Sequence, residues 1–293
     1  MSKKNAIVVI AIGKSKKWDI CKKTVNNYCK KHNLLLEIIT KKKYNIKKFE
    51  SINNFNIFEK NQVYELFDKY DRILRLDWDL IITPDCPNLF EIVPKDEIGV
   101  LLEDVGTRKM DRRKRILRIQ QGLGDIGWKE GYINTGVVLA SKMHREIFLT
   151  TIDDMETMEK INLKLSKEQN FFNFSVRKAG FKIFPLDFKF NHTSMYSEPW
   201  NGCYSKFKSF IIHYAGKINA LELMVIDYNY IFFNRKRVYD FKIISSLLKI
   251  KNTIKEFVRY SRNLLKNRKS SYYQNLRRLI EFFKRYLDFL KYW

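Results

Sequence analysis

Two carboxylates one residue apart carry the clearest chemistry in this chain. The run Tyr70-Asp71-Arg72-Ile73-Leu74-Arg75-Leu76-Asp77-Trp78-Asp79 is an apolar strand that ends in Asp-Trp-Asp. In extended backbone alternate side chains point the same way, so Asp77 and Asp79 can face one site. Two hard oxygen ligands side by side suit Mg²⁺ or Mn²⁺. Such an ion would neutralise a diphosphate and make it a better leaving group. A bare Asp-x-Asp is common and reads equally well as a solvated loop. Here a buried strand precedes it, and Leu80-Ile81-Ile82-Thr83-Pro84-Asp85 follows as a second extended piece. A haloacid-dehalogenase-type phosphatase also begins Asp-x-Asp, but it needs a small, Gly-containing turn directly afterwards, which Leu80-Ile81 does not supply. His213, at the end of the apolar run Phe210–Tyr214, is the candidate third ligand, since a neutral imidazole can join two carboxylates on a cation. The alternative is a structural histidine hydrogen-bonded in the core.

These residues need a scaffold, and the first half of the chain spells one out. Ala6–Ile12 is a continuous apolar run of the kind found in strands buried on both faces. Residues 16–32 space Trp18, Val25, Tyr28 and Cys29 among lysines as a helix does. Leu34–Thr40 reads as a strand, 57–70 as a helix, and Asp71–Asp77 and Ile98–Leu102 as strands. Strand–helix–strand alternation predicts an α/β domain with a mostly parallel sheet flanked by helices. Its first strand ends in Ala11-Ile12-Gly13, the carboxyl edge where a doubly wound sheet receives a nucleotide. Gly131–Ala140 predicts a further strand, Lys142–Asp154 a helix, Glu168–Ala179 a helix closed by Gly180, and Phe181–Phe190 a strand. Glu103-Asp104, after the Ile98–Leu102 strand, also lies at the carboxyl edge and reads as either a sugar contact or an acidic surface pair. His32 and His144 are expected on polar, solvent-facing helix positions. His192 is expected in a loop, where an acceptor contact is one reading.

Taken in order, five pieces resemble the GT-A glycosyltransferases, in particular the glycogenin-like and lipopolysaccharide-galactosyltransferase-like family eight. The Asp71–Asp79 segment, with Pro84 to Phe90 after it, is similar to that family's D-x-D region. Lys60 precedes it where the family carries a basic residue reaching the donor sugar. Tyr132-Ile133-Asn134-Thr135-Gly136-Val137-Val138 resembles the F-N-x-G-[VL] strand. Glu168-Gln169-Asn170-Phe171-Phe172-Asn173 resembles D-Q-D-x-x-N, and His213-Tyr214-Ala215-Gly216-Lys217 resembles H-[FY]-x-G-x-x-K. The resemblance spans roughly residues 5 to 220. It implies a GT-A fold and sugar transfer from a nucleoside-diphosphate sugar, UDP-linked and with anomeric retention, to a glycan, lipid-linked or protein acceptor. It also implies metal ligation by Asp77, Asp79 and His213, phosphate contacts from Gly216 and Lys217, and donor-sugar contacts from Lys60, Asn134, Gly136, Glu168 and Gln169. Gln169 is not an acid, whereas a double displacement wants a carboxylate nucleophile; Gln suits front-face substitution, in which the leaving phosphate helps to deprotonate the acceptor. Glu168 would hold sugar hydroxyls, and as a carboxylate in a helix first turn behind Ser166 it also complements the macrodipole. The chain departs from the pattern at bulky Trp78, at Glu168 and Asn170 in place of two Asp, and at Lys217, two positions early. Donor and acceptor identity therefore do not carry over. An inverting transferase using GDP-linked or another nucleotide-sugar stands as the nearer alternative.

Composition adds a partner question. Lys+Arg number 56 against 32 Asp+Glu, a net of +24, and more than half of that excess falls between Arg235 and Trp293. Such charge speaks to anionic partners rather than to fold. Within 276–290, Leu276, Leu279, Ile280, Phe283, Tyr286, Leu287 and Leu290 share one helical face, opposite a basic one. Three readings stay open for this tail: a helix lying on an anionic membrane surface, a helix packed on protein, and, least favoured, a nucleic-acid contact. A non-catalytic basic protein acting through its C-terminal helices is the alternative from another class. Residues 1–220 are expected to form the catalytic domain and 221–293 a basic helical appendage. No Cys pair has metal or redox spacing, so reduced thiols in a cytoplasmic protein are expected. No run reaches signal-peptide or membrane-spanning length.

Overall fold

Buried β-branched runs form the centre of the protein. The computed structural model describes residues 4–13, 15–44, 59–160, 167–198, 201–202, 204–217 and 219–233. The chain divides into two units, Met1–Tyr228 and Asn229–Trp293. The amphipathic pattern at 276–290 lies outside the described residues.

In the first unit, β1 (Asn5–Ile10) is flanked by β2 (Leu35–Ile39) and β3 (Arg72–Leu76), both parallel to it. The sheet continues through β6 (Ile133–Ser141), β5 (Glu97–Leu102) and β7 (Lys182–Pro185), in the order β2-β1-β3-β6-β5-β7. Strand β6 runs antiparallel to both its neighbours, and every other pairing is parallel. This one reversal matters for the site. It lays the start of β6 beside the end of β3, with Val137 opposite Leu76. A register shift against β5, from Val100 opposite Val138 to Leu101 opposite Asn134, leaves Thr135–Val137 arched away from that neighbour.

A second, two-stranded antiparallel sheet joins β4 (Leu80–Ile82) to β8 (Ile211–His213). Helix α1 (Lys16–His32) packs against β4 of this small sheet and against β2. Ser15 caps it by accepting from Lys17 N–H, and Asn33 closes it in the left-handed conformation (φ 51°). Its buried face includes Cys21, Thr24, Val25 and Tyr28, and Thr24 Oγ1 accepts the Ile82 N–H at 3.2 Å. Helices α2 (Gln62–Leu66) and α6 (Lys167–Lys178) cover one face of the main sheet, and Phe67, Ile73, Val138, Phe148, Phe172 and Val176 fill the core there. Helices α3 (Leu89–Ile92), α4 (Lys109–Leu123), α5 (Ile152–Lys160) and α7 (Ala220–Phe233) complete the described elements of this kind.

Four expectations change, and one helix, α4, is unforeseen; the first change is that Lys142–Asp154 is not one helix but a 3₁₀ stretch over Lys142–Phe148 followed by α5. The segment Phe181–Phe190 is not one strand: β7 ends at Pro185, with one last backbone bond from Leu186 N–H to Val100 O, and a 3₁₀ turn capped by Asp187 follows at Phe188–Phe190. His144 is not at the surface. It is fully buried, accepts from Ser141 N–H through Nδ1 at 3.1 Å and packs edge-on against Phe181. His192 is no loop contact for an acceptor. It is 1% exposed, with Nδ1 2.7 Å from Ser209 Oγ and Nε2 2.8 Å from Ser197 Oγ. Helix α4 arises from a stretch whose periodicity is hidden, because its buried face is half polar: Arg112 and Gln120 as well as Ile116 and Ile119. Cys21, Cys29 and Cys86 are free and buried. Among the described residues no helix is long and apolar enough to cross a membrane.

Candidate metal centre

The small sheet explains how a histidine from late in the chain reaches the Asp-Trp-Asp loop. Strand β3 gains one more rung as Asp77 N–H donates to Gly136 O at 2.9 Å. The chain then turns through Trp78 into β4, where Leu80 lies opposite His213 and Tyr214 N–H donates to Asp79 O at 2.9 Å. His213 Nε2 therefore sits 3.3 Å from Asp79 Oδ1 and 3.7 Å from Asp77 Oδ2. One ligand atom from each residue falls within 4.8 Å of the others. An ion with ligand bonds of about 2.1 Å places adjacent ligand atoms about 3 Å apart, so small side-chain adjustments close the set. Two carboxylates and an imidazole are a fitting donor set for Mn²⁺ or Mg²⁺.

Backbone choice makes room for the imidazole. A Cβ on Gly136 would lie 2.2 Å from His213 Cε1 and 2.5 Å from Nδ1. Burial pushes the imidazole towards its neutral form, but the hydrogen bond to Asp79 and the charges of Asp79 and Asp77 outweigh it and raise the pKa. Burial likewise works against ionised Asp79, and His213 reverses the balance, so its carboxyl lies below the ordinary value. Lys17 Nζ, in the first turn of α1, is 3.9 Å from Asp79 Oδ2 and lies over the Trp78 ring. Gly13, with φ 94° and open space around its Cα, makes the turn from β1 into that helix, beside Ala11 and Ile12.

A second charged cluster adjoins the first. Lys60, in the 3₁₀ turn before α2, places Nζ 2.7 Å from Glu168 Oε2. Thr135 donates its hydroxyl to the same oxygen at 3.2 Å. Arg75 Nη1 lies 3.7 Å from Glu168 Oε1 and 3.9 Å from Asp77 Oδ1, and so bridges the two clusters from inside β3. Its side chain is buried, and among the described residues Nε and Nη2 have no hydrogen-bond partner. Burial alone would raise the Glu168 pKa, but Lys60 and Arg75, followed by the Lys60 and Thr135 hydrogen bonds, bring it below the ordinary value. Glu168 is thus held as an anion in one orientation.

The remaining sequence candidates divide. Gln169 is partly exposed and follows Glu168 in the first turn of α6, which is clamped to β6: Asn173 accepts from Ile133 N–H, donates to Ile133 O and donates to Gln169 O. Asp104 faces a backbone loop, accepting from Gly131 N–H at 2.6 Å and Tyr132 N–H at 3.0 Å. Glu103 turns inwards to Arg112, and Asn134 lies between Glu103 and Asn191. Gly216 (φ 66°) makes the turn after β8, and Lys217 N–H donates to Tyr214 O there. Sequence reasoning missed Arg75, Lys17, Asn191 and Arg112. For Arg75 a signal existed, a charge inside an otherwise apolar strand. The others carry no local mark.

The sequence profile of glycosyl transferase family 8 matches residues 4–219. No curated protein sequence matches the chain. Among solved structures, one similar to this chain is a glycosyltransferase involved in the glycosylation of the major capsid of PBCV-1 (TM-score 0.47, 14% identity, covering 74% of this chain and 99% of the other). Others are mouse xyloside xylosyltransferase 1 in its apo form (0.43, 12%, 73% and 98%) and an active-site mutant of LgtC (0.49, 14%, 75% and 94%).

Proposed function

Since the chain belongs to glycosyl transferase family 8 and is a glycosyltransferase, we propose that it transfers a hexose from a UDP-sugar to an acceptor hydroxyl with retention of anomeric configuration, using a divalent metal. The observation that carries this reading is the convergence of Asp77, Asp79 and His213 at the carboxyl edge of the sheet.

In this reading Asp77, Asp79 and His213 Nε2 hold Mn²⁺ or Mg²⁺, which when bound offsets the charge of the donor's diphosphate. Lys17 and the turn at Gly13 lie on the same edge, where a cation and a helix N-terminus favour phosphate. Glu168 accepts hydrogen bonds from sugar hydroxyls, because Lys60 and Arg75 keep it ionised and stationary. A carboxylate already paired with two cations is a poor nucleophile, and its neighbour Gln169 is no acid. That pairing supports front-face substitution. The acceptor oxygen bonds to the anomeric carbon as the bond from that carbon to the phosphate oxygen breaks, and the acceptor proton passes to the departing phosphate. The chain's contribution is position and charge. The basic segment 235–293 is read, on its sequence alone, as suited to an anionic membrane surface.

A panel of nucleotide-sugars tests this, with donor hydrolysis measured in Mn²⁺ for the natural chain and for Asp79→Ala. Turnover of one UDP-sugar that vanishes in the variant is the expected result, and equal turnover in both removes the site. Proton NMR of the product anomer separates retention from inversion. Deleting 235–293 should leave nucleotide binding intact, whereas loss of all binding would favour the non-catalytic alternative.

A further inference from the structure

Behind His213 runs a buried chain of side-chain hydrogen bonds that draws on five separate parts of the fold. Arg112, from α4, donates through Nε to Glu103 Oε2 at 2.8 Å and again through Nη2. Asn134 donates through Nδ2 to Glu103 Oε1. Asn191 donates through Nδ2 to Asn134 Oδ1 at 2.8 Å, and Asn191 Oδ1 lies 2.9 Å from His213 Nδ1. All five side chains belong to buried residues, each less than a tenth exposed.

The direction of this chain is fixed by two groups that cannot reverse. The Gly136 backbone N–H can only donate, and it donates to Asn134 Oδ1 at 2.8 Å. The Glu103 carboxylate, gripped by a guanidinium that has no acceptor, can only accept. Together they force Asn134 to present its oxygen towards Gly136 and Asn191 and its NH₂ towards Glu103. Asn191 must then give its NH₂ to Asn134 and turn its oxygen to His213. An imidazole facing a carbonyl oxygen must donate, so Nδ1 keeps its proton, and Nε2, which faces Asp77 and Asp79, is the nitrogen that gives up its proton to present a lone pair to a cation. The other amide orientation would bury an N–H against an N–H.

We propose that Arg112, Glu103, Asn134 and Asn191 are positioning residues for the metal, acting through His213 by setting its tautomer and ring orientation. Gly136 completes the device by leaving space for the ring. This rests on the metal reading given above. Outer-shell partners of a ligating histidine typically change metal affinity by about 10- to 100-fold, and the same range is expected for the residue that touches His213.

Mn²⁺ binding followed by electron paramagnetic resonance on the full chain tests it, with thermal melting in parallel. Asn191→Leu should weaken Mn²⁺ by about 10- to 100-fold. Glu103→Gln, two residues removed from the ring, keeps the shape but can donate, so Asn134 is no longer oriented. It should weaken Mn²⁺ by a few fold and, because buried Arg112 loses its charged partner, also lower the melting midpoint; a loosened His213 ring signal in the still-folded protein is the result that a merely structural role would not produce. Histidine-selective ¹⁵N spectra at saturating Mg²⁺ should show a slowly exchanging His213 Nδ1–H in the natural chain and a fast-exchanging one in Glu103→Gln, where the Asn191 carbonyl is no longer held against it. If Asn191→Leu does not fold, the Glu103→Gln spectra decide alone. Failure of the natural chain to bind Mn²⁺ overturns the metal reading itself. Normal binding in the natural chain, together with unchanged affinity and unchanged His213 spectra in Glu103→Gln, overturns only the positioning role.

Discussion

The two halves of the metal centre are built on opposite principles. The Asp77-Trp78-Asp79 loop is local and partly open to water: three consecutive residues between two strands, whose carboxylates meet Arg75 and Lys17 only at 3.9 Å. The His213 side is non-local, sealed and fully committed, with one ring nitrogen backed by four further side chains from β5, α4, β6 and the turn after β7. The carboxylates need only charge and nearness to a cation, and they tolerate rotation. An imidazole has one lone pair in its plane and two tautomers, so it is useful only if something outside decides which nitrogen is bare.

Substitutions can break this contrast, beginning with the largest expected effect. Asp79→Ala removes a ligand outright and should cost more than the roughly 100-fold that outer-shell changes reach, in both Mn²⁺ affinity and turnover; titration with Mn²⁺ checks it. Gly136→Ala attacks the sealed side by steric means alone. Its methyl would overlap the His213 ring at 2.2 Å, so metal affinity should fall by about 10- to 100-fold, like loss of an outer-shell partner. Gly13→Ala, where nothing lies within 4 Å, should cost only the strain of a positive φ, about 1 kcal/mol of stability, and leave metal affinity alone. Equal metal loss in both variants would show that backbone strain near the site, and not overlap with the His213 ring, weakens the metal.

Smaller effects sharpen the comparison. Lys60→Met removes the strongest influence holding the Glu168 pKa down. If activity needs ionised Glu168, the acid limb of the pH–rate profile must move to higher pH, with turnover at neutral pH down about tenfold. An unmoved limb would remove Glu168 from the reaction. The mildest prediction concerns His192, whose backbone O accepts from His213 N–H at 2.9 Å and whose pKa burial, followed by Lys206, pushes down to about 4. Between the unfolded value near 6.5 and the folded value, the unfolded chain binds a proton that the folded chain refuses, so stability falls as pH drops through that window. The loss should reach at most about 3 kcal/mol. His192→Gln should flatten the dependence of the melting temperature on pH between 6.5 and 4, apart from a contribution in the same direction from buried His144.

Legibility followed the range of the forces involved. Strands β1, β2, β3, β5 and β8 and helices α1 and α6 fall within a few residues of their sequence readings, because burial on one or both faces writes itself into apolar spacing. Helix α4 escaped, since a buried Arg112 and Gln120 look like surface residues until Glu103 and the Trp128 backbone are seen beside them. His144 and His192 were misplaced for the same reason. A buried polar group is betrayed only by its partners, and those partners are distant in sequence.

What the sequence determined by itself was chemical identity: two hard anions at the end of a strand, an imidazole at the end of another, and glycines where a side chain would intrude. These follow from residue type and from periodicities of two and 3.6, which act over a few neighbours. What only the tertiary structure decided was direction. Whether Nδ1 or Nε2 of His213 faces the aspartates depends on which way two amides point, and that depends on a guanidinium from α4 and a backbone N–H from β6. A hydrogen bond has an orientation that no single residue contains, so it exists only once both ends have been brought together.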